Sequence, residues 1–146
     1  LGAIGGAMGL AVPAAVAASL RYPGRMVIAF AGDGGAMMTG NELATAMQVK
    51  VPVKFVISNN GSYGTIRLHQ ERDHPLRTIA TQLTNPDFVT WAESFGALGV
   101  RIGMGDDVEV KVRQFLEHDG PAILDVQSSL EAINAFTTIE RLRGTI

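Results

Sequence analysis

A chain of 146 residues can form one domain with its own core, and 47% hydrophobic against 18% charged residues makes it globular rather than disordered. Twelve Lys and Arg against fourteen Asp and Glu give a net charge of −2, which leaves no basic excess for a nucleic-acid partner. The lack of cysteine excludes disulfides and thiolate metal sites, and fits a cytoplasmic protein.

Leu1 to Leu20 is apolar and rich in Gly and Ala, but it has no basic leading region and Pro13 interrupts it. It therefore reads as neither a signal peptide nor a membrane span. A buried loop is expected there, then a helix with Pro13 in its first turn, ending near Tyr22 before Pro23-Gly24. The chain opens at Leu1 without an initiator methionine, which suggests a piece of a longer protein. Met26 to Ala31 is a continuous apolar run, as in a strand covered on both faces. After a glycine turn, Thr39-Gly40-Asn41-Glu42 has the form of a capping box for a helix reaching about Val49, with Leu43, Ala46 and Met47 on one face. Pro52 opens a second strand that runs through Ser58. Residues 61 to 84 carry many charges and little periodicity, so a loop with a helical portion is expected. Asn85-Pro86 caps a helix from Asp87 to Phe95 that turns Phe88, Trp91, Ala92 and Phe95 inward, and Gly96 ends it. A strand at Ala97 to Ile102 follows. Asp106 or Asp107 then starts a helix from Val108 to His118, with Val108, Val112, Phe115 and Leu116 apolar at helical spacing. Gly120-Pro121 turns into a last strand, Ala122 to Gln127, and residues 128 to 146 form a tail. Strands alternating with helices predict an α/β domain built on a parallel sheet with helices on both faces, whose ligands bind beyond the carboxyl ends of the strands.

Two motifs lie at such ends. Gly32-Asp33-Gly34 closes the first strand and, after 24 intervening residues, Asn59-Asn60 closes the second. Asp33 offers an anionic oxygen and Asn60 a neutral amide oxygen. These are too few for a protein-only Mg²⁺ cage, but suit a site whose shell a diphosphate completes. Gly34 and Gly35 let the backbone approach phosphate oxygens closely, and the turn at Ala36 to Met38 can aim N–H groups at an anion. Either motif alone is most often a tight turn. The pair, within one βαβ length, is far more specific.

This spacing, with Gly6-Ala7-Met8-Gly9, Pro13-Ala14-Ala15 and Asn41-Glu42-Leu43-Ala44-Thr45-Ala46, resembles the thiamine diphosphate-dependent enzymes, in particular their acetolactate synthase-like and benzoylformate or pyruvate decarboxylase-like members. The resemblance covers about residues 1 to 128. It implies that residues 1–146 form the C-terminal, diphosphate-binding domain, with pyrimidine-binding and middle domains outside this chain. By motif it implies that Asp33 and Asn60 ligate Mg²⁺ through side chains, and Ser62 through its main-chain oxygen. Gly34 and Gly35 would hold the diphosphate. The Gly6 carbonyl would accept a hydrogen bond from the cofactor's 4′-amino group, and Met8 would prop the cofactor in a bent form. The alternative for Met8 is an ordinary core filler.

The resemblance further implies a 2-oxo acid substrate, decarboxylated or ligated. It implies a homodimer or homotetramer in which a partner subunit's pyrimidine-binding domain supplies the activating glutamate, so no catalytic residue is expected in this chain. Arg67 follows Thr65-Ile66 where some decarboxylases carry a catalytic glutamate, which favours the synthase-like branch. Two alternatives stand beside this reading. One is a 2-hydroxyacyl-CoA or oxalyl-CoA lyase of the same superfamily. The other is an inactive module that self-associates through an exposed Leu1 to Val12. Arg67, His69 and Arg72 face either substrate or an adjoining domain, or form a solvated or inter-domain surface; His74 and His118 are expected at the surface, and Trp91 in the core.

Overall fold

The computed structural model describes residues 5–144, so expectations for residues 1–4 and 145–146 lie outside it. Its centre is a sheet of four strands: β1 (Ile28–Gly32), β2 (Lys54–Asn59), β3 (Leu98–Ile102) and β4 (Ala122–Gln127). All are parallel, in the order β1-β2-β4-β3. The α/β expectation holds. β4 runs between β2 and β3, and its Ala-Ile-Leu-Asp stretch is buried throughout. A strand flanked on both sides and covered on both faces needs such an uninterrupted run.

Side chains alternate between the two faces. On one face, Phe55 and Ile57 of β2 and Ile123 of β4 join Val12, Ala15 and Val16 of α1 (Ala11–Arg21), Ala36 of α2 (Asp33–Thr39), Leu43 and Ala46 of α3 (Leu43–Gln48), and Phe88 and Ala92 of α5 (Phe88–Ser94). On the other, Val100 and Ile102 of β3 and Ala122 and Leu124 of β4 pack against Phe115 of α6 (Val108–Glu117). Lys54 is buried on this second face. Its Nζ donates to the carbonyl oxygens of His118 (2.5 Å) and Gly120 (2.8 Å), which serve as acceptors just past α6, and burial lowers its pKa.

α5 shows how local chemistry sets an element. Asp87 caps it by accepting from the Thr90 backbone N–H at 2.9 Å, and Gly96 ends it at φ 82°. Trp91 meets Phe88 and Phe95 edge-on, with centroids 6.0 and 5.5 Å apart. A β-carbon on Gly99 would lie 2.7 Å from the Val89 backbone, so glycine there lets α5 settle onto β3.

Several expectations are corrected. β1 is an edge strand covered on one face only: Ala29 and Ala31 pack inward, while Ile28 and Phe30 point out, Phe30 being 75% exposed. α6 lies over β3 and β4. The loop at Gly5 to Met8 is exposed rather than buried, since α1 begins at Ala11 and only Val12 of that stretch reaches the core. No capping box forms at Thr39. Its hydroxyl donates to the Gly9 carbonyl, and Gly40–Glu42 continues as a 3-10 turn into α3. The glycine turn is itself helical, since α2 starts at Asp33. Asn85 does not cap α5, because Asp87 does. Val108 faces solvent, while Phe115 takes the buried position in α6.

The helical portion expected between residues 61 and 84 is α4 (Gly64–Asp73), and the tail contributes α7 (Ile139–Leu142). Glu71 of α4 is fully buried. It accepts from Arg67 on its own helix and from Arg143 beyond α7, at 3.0 and 2.7 Å. These contacts fasten the tail to α4. The Arg143 guanidinium, more than any other neighbour, holds the Glu71 carboxyl down at about 2.

Candidate functional site

The two motifs converge at the carboxyl ends of β1 and β2. These strands pair in register, Gly32 with Ser58, so Asp33 and Asn59-Asn60 emerge side by side. Asp33 is 2% exposed. Its Oδ1 accepts from the Gly34 backbone N–H at 2.9 Å. Its Oδ2 accepts from the Gly61 N–H at 2.8 Å and from Asn85 Nδ2 at 2.7 Å. Asn60 Oδ1 accepts from the Ser62 N–H at 3.0 Å, and the Ser62 carbonyl accepts from Gly64 N–H at 2.8 Å. Each of these two oxygens retains a lone pair. Gly61 therefore ties Asp33 to the Asn60–Ser62 turn, and the three expected metal ligands lie on one short stretch of contacts.

The fold buries three carboxylates, and they are compensated differently. Glu71 has Arg67 and Arg143. Asp125 has Arg101 at 2.9 Å. Among the described residues Asp33 has no ion-pair partner, only neutral N–H donors. A buried anion without a counter-charge is costly, so this position suits a bound cation. Among the described residues no group of three or more His, Cys, Asp or Glu side chains could hold a metal. A cation here would be held by mixed carboxylate, amide and carbonyl oxygens. That is the hard-oxygen chemistry that suits Mg²⁺.

Beside this turn opens a cleft of about 1180 Å³ along the edge of the sheet, lined by Gly6, Met8, Gly34, Gly35, Tyr63 and Phe30. Met8 is 46% exposed, so it lines the cleft instead of filling the core. Gly6 has φ 66°, a conformation that favours glycine. The two phosphate-binding candidates differ. A β-carbon on Gly34 would sit 2.4 Å from the Tyr63 ring, whereas on Gly35 it would meet only the Gly9 backbone N at 3.9 Å and would otherwise fill open cleft. Gly34 is demanded by packing, and Gly35 leaves space for a ligand.

Arg67 faces neither cleft nor solvent freely, being engaged with Glu71, and Arg72 pairs with Asp73 at the surface. His69 and His74 are exposed, His118 is half-buried, and Trp91 is half-buried against the core.

Behind the motifs lies a polar network with little trace in the sequence. Asn85 Nδ2 also donates to Asn59 Oδ1 at 3.0 Å, and Asn59 Nδ2 donates to Asp125 Oδ1 at 3.0 Å. Arg101 donates to Asp125 Oδ2 at 2.9 Å and to Asp87 Oδ2 at 2.8 Å. The Asp87 carboxyl is held down at about 2, first by the Thr90 N–H and then by Arg101. One signal of this network is visible in sequence: an acidic residue, Asp125, inside the apolar run of β4. The contact between Asn85 and Asp33 has none, because 51 intervening residues separate them.

Comparison with known proteins agrees with the geometry. The family model described as "Thiamine pyrophosphate enzyme, C-terminal TPP binding domain" matches residues 2–126. The chain is 38% identical over 119 residues to an acetolactate synthase of Bacillus subtilis, covering 82% of this chain and 21% of that protein. It is 38% identical over 122 residues to the acetolactate synthase isozyme 2 large subunit of Escherichia coli, covering 83% and 22%. Among solved structures, a Rhodococcus jostii thiamine diphosphate-dependent 4-hydroxybenzoylformate decarboxylase superposes with a TM-score of 0.78 at 34% identity, covering 86% of this chain and 24% of that one. The chain thus spans about a fifth to a quarter of the length of these proteins.

Proposed function

The chain belongs to the thiamine pyrophosphate enzymes, as their C-terminal cofactor-binding domain, and from that premise we propose that it grips the diphosphate end of thiamine diphosphate through one Mg²⁺, in an acetolactate synthase-like enzyme that decarboxylates or ligates 2-oxo acids. The observation that carries the metal assignment is Asp33, a buried carboxylate with only neutral donors, next in sequence to Gly34 and Gly35, which line the cleft.

The residues divide the work. Asp33 supplies the charge that retains the cation, and Asn60 Oδ1 and the Ser62 carbonyl supply its neutral oxygens. Gly35 admits a phosphate against the backbone, with Gly34 beside it. The Gly6 carbonyl would accept from the aminopyrimidine end of the cofactor, and Met8, exposed in the cleft, would pack against it. When bound, the cofactor supplies the electron sink for carbon–carbon bond cleavage, and the protein's part is to bind and orient it. The activating carboxylate is assigned to a pyrimidine-binding domain of a partner subunit, so the complete enzyme is a homodimer or homotetramer. A cysteine-free chain suits the reducing cytoplasm. No helix among the described residues is long and apolar enough to cross a membrane.

The test is a titration of the complete protein with Mg²⁺ and thiamine diphosphate. Asp33→Ala is expected to abolish Mg²⁺-dependent cofactor binding. Full affinity in that variant would remove Asp33 from the site. Screening pyruvate, benzoylformate and oxalyl-CoA for CO₂ release by the complete protein identifies the substrate class.

A further inference from the structure

We propose that Asn85 is the positioning residue of the metal site, selecting which oxygen of Asp33 meets the cation. The inference rests on the assignment of Asp33 as a ligand.

Hydrogen-bond capacity supplies the argument. A carboxylate oxygen offers about two lone-pair positions. Asp33 Oδ2 accepts two donors, the Gly61 N–H and Asn85 Nδ2, and is filled. Oδ1 accepts one, the Gly34 N–H, and keeps a position free. The oxygen left for a cation is therefore Oδ1, and Asn85 supplies half of what closes Oδ2.

The orientation of Asn85 is forced. Two carboxylates, which only accept, stand at the ends of the series Asp33–Asn85–Asn59–Asp125. Asn59 must turn Nδ2 to Asp125, which leaves Oδ1 to accept from Asn85. Asn85 must turn Nδ2 to Asp33, and its two amide hydrogens are both used, one at each neighbour. A carboxylate at position 85 has no hydrogen to give, and a serine has one.

The backbone position of Asn85 is fixed as well. Two residues on, Asp87 caps α5 and holds Arg101, which in turn holds Asp125. Asp125, Arg101, Asp87, Asn85 and Asn59 thus form a closed ring, part covalent and part hydrogen-bonded, spanning β2, β3, β4 and the start of α5. Of these five residues, Asn85 is the one whose side chain hydrogen-bonds Asp33.

The experiment uses the complete protein and reads cofactor binding by calorimetry. The half-saturating Mg²⁺ concentration for thiamine diphosphate binding is measured for wild type, Asn85→Ala and Asn85→Ser, and again with Ca²⁺. Loss of a residue that orients a metal ligand typically weakens metal affinity about 10–100-fold. Asn85→Ala is expected to raise the Mg²⁺ requirement within that range and Asn85→Ser by less, since one donor remains. The preference for Mg²⁺ over Ca²⁺ is expected to fall in both, because a carboxylate free to offer either oxygen fits the larger, more flexible shell of Ca²⁺ better. A purely structural role would lower the folded fraction and weaken both metals alike, leaving that preference unchanged. An unchanged Mg²⁺ requirement, or an unchanged preference, overturns the inference. If Asn85→Ala does not fold, Asn85→Ser alone decides by the same two readings. Asp33→Ala, run in parallel, separates the levels. Loss of binding there with no effect at Asn85 removes only this inference, and no loss there removes the metal assignment itself.

Discussion

At Gly34 and Gly35 the same residue type serves two different physical needs, and mutation separates them. Alanine at Gly34 drives a methyl into the Tyr63 ring, so Gly34→Ala is expected to destabilise the complete protein by about 1–3 kcal/mol in urea unfolding. Because the closest clash is with the Tyr63 ring, ahead of Leu83 at 3.3 Å, Tyr63→Ala should absorb part of that loss, and additive losses would refute the packing account. Gly35→Ala meets no protein atom closely. It should leave stability within about 0.5 kcal/mol, apart from the small alanine gain expected in a helix, while weakening cofactor binding. If Gly35→Ala unfolds the protein, or binds cofactor as tightly as wild type, its role as an opening for phosphate is wrong. Asp33 follows the same logic of neighbours: its motif is visible in sequence, but its lack of a cationic partner is visible only in the fold.

Among the elements, α4 and α7 are joined by a charge cluster with a definite pH response. The Glu71 carboxyl has a folded pKa of about 2, against an ordinary value of 4.5. A depressed carboxyl pKa stabilises the fold above the ordinary value, and that stability is lost as pH falls from about 4.5 towards 2. Glu71→Gln should flatten the stability profile in that window, as read by thermal unfolding at successive pH values. An equally steep profile in the variant would place the acid sensitivity elsewhere. Arg143→Ala should lower stability in urea unfolding, since hydrogen bonds to a buried charge are lost while Arg67 remains, and unchanged stability would contradict this. Such pairings also show how far the elements were legible in sequence. β4 matched its expected bounds, Ala122 to Gln127, because Gly120-Pro121 marks its start and an apolar stretch, Ala122-Ile123-Leu124, opens it. β1 has an equally apolar run, yet lies at an edge, and no local pattern distinguishes the two. Asp87 and Asn85 are both cap-forming residues, two positions apart. Asp87 takes the cap, and a partner far along the chain takes Asn85. The turn at Asn60 to Ser62 is legible because its contacts are local. The ring behind it was not, because its contacts join four separate elements.

For the molecule as a whole, the exposed side of β1 sets its behaviour in isolation. Met26, Ile28 and Phe30 are 59%, 41% and 75% exposed, and among the described residues β1 pairs with β2 alone. An apolar edge strand of this kind recruits other chains. The 146-residue polypeptide is expected to sediment as dimers or larger species, and Phe30→Lys should shift it towards monomer; a monomeric wild-type chain would contradict this. The strand order has a consequence of another kind, in time. β1 with β2, and β3 with β4, are each joined by one crossover, but the β2–β4 seam joins Lys54 to Ala122, more than twice as far along the chain. Distant pairings are slow to form because the loop they close must be ordered first. Two halves can therefore assemble early and meet late, along the seam that Asn59 and Asp125 bridge. Gly34 and Gly61 hold Asp33 from within the first half, but the Asn85 hydrogen bond forms only at that last meeting, so during refolding full cation binding should appear after most of the helix signal has returned.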